Sequence, residues 1–300
     1  MSLHYISEML LPSPVEEMRR SPGGIRWLVK RDDLIHPVFG GNKWRKIKYN
    51  LSAFRSSGKR KIVSIGGAFS NHLHALAGIC AEEKIPFRAL VQAKEDALDN
   101  PTLRFLQQQK AQITLISRDD YRKNKADFPV FEDEFYLPEG GTNALALQGV
   151  GEVVQEIVEQ VGTPDYIAVA AGSGGTAAGI LAHLPPKTQL LVVPVLKGYP
   201  ALNDLERIAG VKAPGRCHVL NDFHRGGFGR FDEGLATFMR AFYLDEGVKL
   251  DPIYTAKLFL AIQSLAVHGY FHPGAVTVII HTGGLQGLQG MEYRTGKPIY

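Results

Sequence analysis

The stretch at residues 40–46, Gly-Gly-Asn-Lys-Trp-Arg-Lys, contains a lysine whose position suits covalent chemistry. Apolar residues recur after it at helical spacing, which predicts a helix with Asn42 as its N-cap and Lys43 at its first position. The positive end of the helix dipole disfavours a cation there, so we expect the pKa of the Lys43 ammonium to fall. A lysine that loses its proton easily is a potential nucleophile. The alternative is a basic surface helix, because further basic residues follow.

Three glycine-rich turns at residues 66–71, 172–176 and 282–284 each follow a predicted strand. In a parallel sheet such turns lie at the carboxyl ends of the strands, where open α/β folds bind ligands. The second turn offers unhindered backbone N–H groups and two hydroxyls at a helix N-terminus, which suits phosphate or another anion. A plain turn for close packing is the alternative. The residues of this second turn are Gly172, Ser173, Gly174, Gly175 and Thr176.

Nucleotide sites are the main rivals to that interpretation. The second turn fits the spacing G-x-G-x-x-A of dinucleotide sites, since Ala177 takes the last place. Such a site expects an acidic residue about 20 positions later to hold the ribose, and residues 191–198 contain none. A P-loop is excluded because no Gly-Lys-Ser/Thr triplet follows the glycines. The sequence therefore predicts a phosphate site without a ribose.

The first turn leads into a predicted helix through Ser70, Asn71 and His72. A serine at an N-cap stabilises a helix without any further function. The same hydroxyl and backbone N–H groups could also hold a substrate carboxylate. The histidines here show no metal-ligand spacing with a cysteine or carboxylate, so we predict no metal site. His281, next to the third turn, is interpreted as a buried structural histidine.

Composition narrows the class of protein. The 300 residues are 45% hydrophobic and 21% charged, which is typical of a globular protein. The net charge of +4 is not concentrated in a basic run with aromatics, so nucleic-acid binding is not predicted. Residues 1–14 show no targeting pattern, and no apolar run reaches the ~20 residues of a membrane span, so we expect a cytoplasmic protein. Cys80 and Cys217 are predicted to be buried, reduced thiols.

Apolar strands alternate with helical patterns along most of the chain. Strands are predicted at residues 25–30, 62–65, 87–91, 113–116, 166–171, 190–195 and 275–280. Helices are predicted from Asn42 and over 71–83, 101–109, 152–161, 232–246 and 254–268, with a short one after 176. This alternation predicts an α/β fold whose parallel sheets are covered on both faces. A second series of strands and helices starts near residue 145, which indicates a junction between two domains.

An activated lysine, a phosphate cup and a carboxylate site are what pyridoxal 5'-phosphate and an amino acid require together. The sequence resembles the fold-type-II pyridoxal phosphate enzymes, and within them the 1-aminocyclopropane-1-carboxylate (ACC) deaminase/D-cysteine desulfhydrase family, over nearly its whole length. The matching stretches are residues 29–34, 40–46, 66–72, 138–141, 172–176, 251–257 and 281–284. Several motifs in one order are far more specific than any one of them.

The resemblance implies an architecture and an assembly. Two three-layer αβα domains with mostly parallel sheets are expected. Residues 48–146 would form a small domain inserted into a large cofactor-binding domain made of 1–47 and 147–300. The site would lie in the cleft between them. The protein would be a homodimer that acts on a small amino-acid substrate.

The resemblance also implies roles for the residues that meet the cofactor. Lys43 would bind the cofactor covalently and later move the α-proton of the substrate. Asn71 would hydrogen-bond the phenolic oxygen of the cofactor, and the backbone of residues 172–176 would bind its phosphate. Tyr254 would lie by the cofactor ring. Thr282 would face the pyridine nitrogen, which a hydroxyl leaves unprotonated.

On the substrate side, the resemblance implies contacts from Ser70, Asn71, His72, Phe228 and Tyr254. Ser70 would meet the carboxylate of the substrate or act beside it, so that Ser70 and Tyr254 join Lys43 as catalytic residues.

Three departures from the family pattern bear on the substrate. Phe228 stands where members usually carry a tyrosine, so one phenolic hydroxyl is missing. Thr255 and Thr282 replace the glutamate and the leucine of the deaminases. We therefore expect a lyase that, like D-cysteine desulfhydrase, eliminates a β-substituent to give a 2-oxo acid and ammonia. ACC deaminase is the alternative, and a cofactor-binding protein with weak or no catalysis is the second alternative.

Overall fold

The computed structural model describes residues 9–300 except 95, 96 and 98. The prediction that residues 1–14 contain no targeting pattern falls partly on residues 1–8, which lie outside the described residues. Within the described residues no helix has both the length and the apolar character needed to cross a bilayer.

Strands of the described residues form two separate sheets. They are β1 (Val15–Glu17), β2 (Arg26–Lys30), β3 (Lys61–Gly67), β4 (Phe87–Gln92), β5 (Gln112–Ile116), β6 (Glu134–Leu137), β7 (Tyr166–Ala171), β8 (Gln189–Pro194), β9 (Cys217–Val219) and β10 (Val276–Ile280). One sheet has the order β1-β2-β10-β7-β8-β9, and the other has the order β5-β4-β3-β6. β1 runs antiparallel to β2, and the other described pairings are parallel. The predicted α/β fold with mostly parallel sheets is confirmed.

Helices follow most of these strands. They are α1 (Asn42–Ser56), α2 (Asn71–Glu82), α3 (Pro101–Gln108), α4 (Arg118–Asn124), α5 (Ala144–Val161), α6 (Gly175–Ala182), α7 (Leu202–Ala209), α8 (Glu233–Glu246), α9 (Thr255–Val267) and α10 (Gln286–Thr295). Several begin at a polar side chain that accepts a hydrogen bond from the backbone N–H three residues later, which satisfies a donor of the first turn. These caps are Ser70, Asn100, Ser117, Asn143 and Asp232.

The larger sheet is buried on both faces. Along β7, Ala168 and Ala170 belong to a core that includes side chains of α8 and α9. The alternate residues Ile167 and Val169 belong to a second core, which includes side chains of α5, α6 and α7. Because successive side chains of a strand point to opposite faces, helices must cover both faces of this sheet. The nearly continuous apolar runs in the sequence have this cause.

The smaller sheet is also covered on both faces. One face packs against α1, α2 and α3. On the other, Val63, Ile65 and Leu90 meet apolar side chains of α4 and of residues 128–136. Cys80 lies in the first of these cores and Cys217 in a core of the larger sheet, and both are buried and unpaired, as predicted.

We propose that the two sheets mark two domains, 48–146 for the smaller and 1–47 plus 147–300 for the larger. All strands of the smaller sheet fall between residues 61 and 137, which supports this division. Helices α1 and α5 cross the proposed boundaries and pack against each other. Any movement between the domains would therefore involve this helix pair.

Several short elements have no counterpart among the predicted ones, and one predicted helix boundary is wrong. Strands β1, β6 and β9 and helices α4, α7 and α10 were not predicted. Helix α4, for example, buries none of its seven residues, so it has no apolar periodicity to detect. The helix predicted from residue 152 begins at Ala144. Its first part was not predicted, because Gly149 and Gly151, which are buried in the structure, interrupt the apolar pattern of the sequence.

Candidate active site

A cavity of about 510 Å³ lies at the carboxyl ends of β3, β7 and β10. Turns that follow these three strands contribute to its lining, as the rule for open α/β sheets predicts. The structure brings all of the predicted site residues to this cavity: Lys43, Ser70, Asn71, His72, Gly172, Ser173, Gly174, Gly175, Thr176, Phe228, Tyr254 and Thr282.

Lys43 enters the cavity from the start of α1. The prediction that Asn42 is the N-cap is wrong by one position, since Gly41 is the N-cap and Lys43 is the second helical residue. The side chain of Asn42 is engaged elsewhere: it accepts a hydrogen bond from Lys43 Nζ at 2.7 Å and donates one to Thr176 Oγ1 at 2.8 Å. Asn42 thus links the lysine to the 172–176 turn.

The pKa of Lys43 falls in the predicted direction but for a different main reason. Burial lowers the pKa of this ammonium to about 8, and the negative charge of Asp251 opposes the shift. The helix dipole was the predicted cause, whereas desolvation of the charged form makes the largest contribution. A lysine with this pKa is a free amine in part near neutral pH.

Lys46 lies one turn further along α1 and faces the same cavity. Its Nζ donates to the carbonyl of Gly140 at 3.0 Å and to Thr142 Oγ1 at 3.2 Å. Burial, and then the neighbouring Lys43, lowers the pKa of Lys46 to about 7. In the part of the chain that the structure describes, the hydrogen-bond partners of both lysines are neutral. Two adjacent buried ammonium groups favour an anion in this cavity.

The 172–176 turn lies directly beside Lys46. A Cβ atom on Gly175 would stand 2.8 Å from Lys46 Nζ and 2.3 Å from Thr142 Oγ1, so no side chain fits there. Helix α6 begins at the same glycine, and the backbone N–H groups of its first turn have no partner within the helix. These N–H groups and the ammonium of Lys46 together form an anion-binding cup.

Ser70 and Asn71 line the wall formed by the start of α2. Ser70 Oγ accepts a hydrogen bond from the N–H of Leu73 at 3.2 Å, so the residue does serve as a helix cap. Asn71 lies against the third glycine-rich turn: its Nδ2 stands 2.8 Å from the position that a Cβ of Gly284 would occupy. The first and third turns are therefore in contact.

His72 is buried and neutral. Its Nε2 lies 2.9 Å from Ser64 Oγ, whose own proton goes to the carbonyl of Leu137, so Nε2 is the donor and Nδ1 carries the lone pair. Burial, then the positive charges of Lys43 and Lys46, lowers the pKa of His72 to about 3. His72 Nδ1 is a buried acceptor without a protein partner in the described residues.

Tyr254 and Phe228 form the opposite wall. The Tyr254 hydroxyl would be 3.2 Å from a Cβ on Gly172, which places the phenol at the edge of the anion-binding cup. Burial and the charge of Asp251 raise the pKa of Tyr254, so its phenol keeps its proton. Phe228 is 52% exposed and packs edge-on against Tyr254 with ring centroids 6.2 Å apart.

Asp251 fixes the start of α9 and thereby Tyr254. Its buried carboxylate accepts hydrogen bonds from the N–H groups of Ile253, Tyr254 and Thr255. The Thr255 hydroxyl donates to the same carboxylate at 2.7 Å, and Thr255 is fully buried outside the lining of the cavity. Thr255, which was predicted to bear on the substrate, therefore lies in this helix cap beside Tyr254 and not in the lining of the cavity.

Comparison with known proteins agrees with this geometry. A family model described as pyridoxal-phosphate dependent enzyme matches residues 6–283 of the chain. The chain belongs to this family. A provisionally named ACC deaminase of Pyrococcus furiosus is 31% identical over 86% of this chain and 84% of its own length. A D-cysteine desulfhydrase of Salmonella typhi is 28% identical over 92% of this chain and 93% of its own length.

A solved structure described as an ACC deaminase homologue superposes with a TM-score of 0.80. It covers 97% of this chain and 94% of its own, at 24% sequence identity. At this identity the similarity establishes the fold, and the chemistry must be argued from the residues of the cavity.

The residues of the cavity fit pyridoxal phosphate. The cofactor is a phosphate ester with an aldehyde, and it needs an anion-binding cup and an amine. Lys46 and the 172–176 turn would hold the phosphate, because the cup combines N–H groups of the first turn of α6 with an ammonium whose hydrogen-bond partners, as far as the structure describes the chain, are neutral. Lys43, which Asn42 links to this cup, is the amine that would bind the aldehyde. The family therefore accounts for both buried ammonium groups.

Several polar residues that line the cavity were not predicted as site residues, among them Lys46, Tyr121, Lys125 and Glu139. Glu139 accepts a hydrogen bond from the Tyr121 hydroxyl and pairs with Lys125 at 3.0 Å. Lys46 could have been found, since it lies three positions after Lys43 and thus on the same face of a helix. Tyr121 gave no signal, because its helix was not predicted.

Replacement of Gly174 with valine is expected to weaken cofactor binding. Gly174 has φ +85°, a conformation that costs a branched residue of order 1–3 kcal/mol, so valine should move the turn. An increase of about tenfold in the dissociation constant corresponds to 1.4 kcal/mol, and an absorbance titration would measure it. Gly210→Val is the matched control, because Gly210 has φ +70° but ends α7 outside the cavity. An equal effect of both substitutions would contradict the assignment of the cup.

Proposed function

We propose that this chain is a pyridoxal-phosphate-dependent lyase that eliminates a β-substituent from a small amino acid of D configuration, as D-cysteine desulfhydrase does. The products would be a 2-oxo acid, ammonia and, from D-cysteine, sulfide. The observation that carries the proposal is the pair Lys43 and Lys46, an amine of pKa about 8 beside an anion-binding cup. The D-cysteine desulfhydrase relative, which matches over nearly the whole chain, supports the choice of reaction.

Lys43 is the proposed base. When bound, pyridoxal phosphate supplies an electron sink at the α-carbon of the amino acid. The Lys43 amine takes the α-proton, for which a pKa close to the working pH is the most effective. The β-substituent then leaves with its electron pair, and hydrolysis of the resulting unsaturated amine gives the 2-oxo acid and ammonia.

The other residues position the reactants. Lys46 and the 172–176 backbone would fix the phosphate, while Asn71 and Thr282 would meet the ring of the cofactor, one at the phenolic oxygen and one at the pyridine nitrogen. Ser70 and the N–H groups at the start of α2 would hold the substrate carboxylate, because such groups favour anions. We assign the neutral phenol of Tyr254 to proton donation.

His72 and Phe228 would complete the substrate pocket. The neutral imidazole of His72 would support the 70–72 turn through its bond to Ser64, and it would not attract a second carboxylate. Phe228 would close the pocket beside Tyr254 with an apolar edge. A small uncharged side chain on the β-carbon fits these two neighbours best.

ACC deamination is the second candidate, and the relative from Pyrococcus furiosus is the observation that favours it. Opening of a cyclopropane requires a group that attacks or protonates a ring carbon, and a phenol is suited to such proton work. Phe228 fills the volume of the family tyrosine but can neither donate a proton nor form a hydrogen bond. Tyr254 is the phenol that remains at this wall.

A substrate panel distinguishes the two candidates. We expect the purified protein to process D-cysteine and β-chloro-D-alanine faster than ACC by a factor of about 10²–10⁴, the range attributed to general acid help. Formation of 2-oxo acid and ammonia would be followed for these substrates and for L-cysteine. Phe228→Tyr should raise activity on ACC while leaving activity on D-cysteine within a few-fold. Efficient turnover of ACC by the unmodified protein would overturn the proposal.

The panel also addresses the possibility of a cofactor-binding protein with weak or no catalysis. That protein would bind pyridoxal phosphate yet release little or no 2-oxo acid from any member of the panel.

We further propose that the protein is a homodimer in the cytoplasm, which the family resemblance supports. Sedimentation of the cofactor-loaded protein would measure whether its mass is twice that of the 33.0 kDa chain.

A further inference from the structure

A buried lysine on α9 holds the loop that carries Phe228. Lys257 is 1% exposed, although it carries a charged group. Its Nζ donates to the carbonyl of Gly227 at 2.8 Å and to that of His224 at 3.0 Å. Both acceptors belong to the loop of residues 224–230, and Phe228 follows one of them directly.

The surroundings of Lys257 are unusual for a residue with only a structural task. Its direct partners are neutral carbonyls, and burial lowers the pKa of the ammonium to about 8. Asp251 and Asp232 stabilise the charge from a distance, while Arg225 opposes it. An apolar residue in this place would avoid the cost of burying an ammonium group. In place of that saving, the Lys257 ammonium forms two charge-assisted hydrogen bonds to the loop of residues 224–230.

The same helix positions both walls of the substrate pocket. Tyr254 is the N-cap of α9, and Lys257 lies three residues later in the first turn of the same helix. Tyr254 reaches the edge of the anion-binding cup, and Lys257 holds the backbone that leads directly into Phe228. The edge-on contact between Phe228 and Tyr254 is therefore fixed from two points of one rigid element.

We infer that Lys257 is a positioning residue that sets Phe228 against Tyr254 at the mouth of the cavity and so determines how tightly the substrate side chain is held. The inference rests on the proposed function for its kinetic part only. Lys257 itself lies outside the lining of the cavity, so it acts through Phe228.

The loop can be observed without any turnover. The two tryptophans of the chain, Trp27 and Trp44, are 3% and 1% exposed. Because acrylamide reaches buried indoles poorly, quenching of the fluorescence of the Phe228→Trp protein reports mainly on the introduced tryptophan. We expect Lys257→Met to raise the quenching constant of the Phe228→Trp protein at least twofold, because the loop loses both bonds to the helix. Lys187→Met, at an exposed site, is the control that should change nothing.

The kinetic test separates positioning from general damage. In the cofactor-loaded protein, Lys257→Met should raise KM for D-cysteine about tenfold and change kcat less than threefold, the pattern of lost binding that is equal in ground and transition states. Cofactor affinity should remain within twofold. In a Phe228→Ala background, Lys257→Met should have no further effect on KM, because two residues in one unit are not additive.

Several results would overturn the inference. Unchanged quenching in Lys257→Met, or a KM effect that persists in the Phe228→Ala background, would show that Lys257 does not act through Phe228. If Lys257→Met fails to fold, Lys257→Gln carries the same test, because its uncharged side chain is one atom shorter and cannot keep both bonds, and a quenching constant equal to that of the parent would count against the role. If D-cysteine is no substrate at all, the proposed function fails, while the quenching experiment still decides the role of Lys257.

Discussion

Replacement of Lys43 with alanine is expected to abolish covalent attachment of the cofactor and to reduce turnover by at least about 10²–10⁴, the contribution of a positioned proton-transfer group. The amine at this position has a pKa lowered to about 8 and, among residues 9–94, 97 and 99–300, a single hydrogen bond, to Asn42. Both properties favour nucleophilic attack on an aldehyde. Visible absorbance of the loaded protein and reduction with borohydride, followed by peptide mapping, would measure the attachment.

The neighbouring basic residues give controls of graded severity. Lys48 lies on α1 outside the cavity lining, where it pairs with Glu152 of α5, so Lys48→Ala should keep both attachment and turnover. Lys46→Ala should keep the attachment but weaken cofactor affinity, because the cup loses its ammonium. A borohydride-stable adduct in Lys43→Ala would show that another amine binds the cofactor.

Replacement of Asp32 with asparagine is expected to lower the free energy of unfolding by about 3–5 kcal/mol, the usual cost of breaking a buried ion pair. Asp32 is 1% exposed, and both of its oxygens accept hydrogen bonds from Arg45 at 2.7 Å. Arg45 also binds both oxygens of Glu156 on α5, which in turn pairs with Lys30 at 2.6 Å. Loss of Asp32 leaves a buried guanidinium with excess positive charge.

Urea denaturation would measure this effect through the midpoint at constant slope. Arg60→Gln is the control, because the Arg60–Asp133 pair is at the surface, with Arg60 80% exposed, and such pairs contribute about 0–1 kcal/mol. Similar losses in both variants would mean that the buried network adds no more than a surface pair. The network also joins α1 to α5, so the asparagine variant should bind the cofactor less tightly as well.

Strong local patterns made much of the fold predictable from sequence. The parallel strands of the larger sheet are apolar on both faces and therefore appear as continuous apolar runs in the sequence. Capping residues such as Ser70 indicate where a helix begins. The short and exposed elements carried no such pattern. Helix α4 is held by its place over the smaller sheet rather than by propensity, and no local reasoning could supply that contact.

The parts of the candidate site that lie in a recognisable sequence motif were predictable. The positions of Lys43 and the 172–176 turn followed from spacing and from the carboxyl-end rule. The cause of the lowered Lys43 pKa did not, because burial depends on distant segments such as residues 251–254. The place of Thr255 in the helix cap could not be predicted for the same reason, since only the fold shows that its hydroxyl donates to Asp251. Lys257 lies in the matching stretch 251–257, but its task could not be predicted, because its partners lie 30 and 33 residues away.

The two ammonium groups on one face of α1 also couple cofactor supply to the amount of folded protein. Lys43 lowers the pKa of Lys46, and both lysines lower the pKa of His72. Repulsion between these positive charges destabilises the folded chain until an anion neutralises them. A ligand that binds only the folded state stabilises it by about 2.7 kcal/mol at 100 times its dissociation constant. Cells short of pyridoxal phosphate would then hold less of this protein, because the unloaded chain unfolds and is degraded more often. Vitamin status would act on abundance as well as on activity.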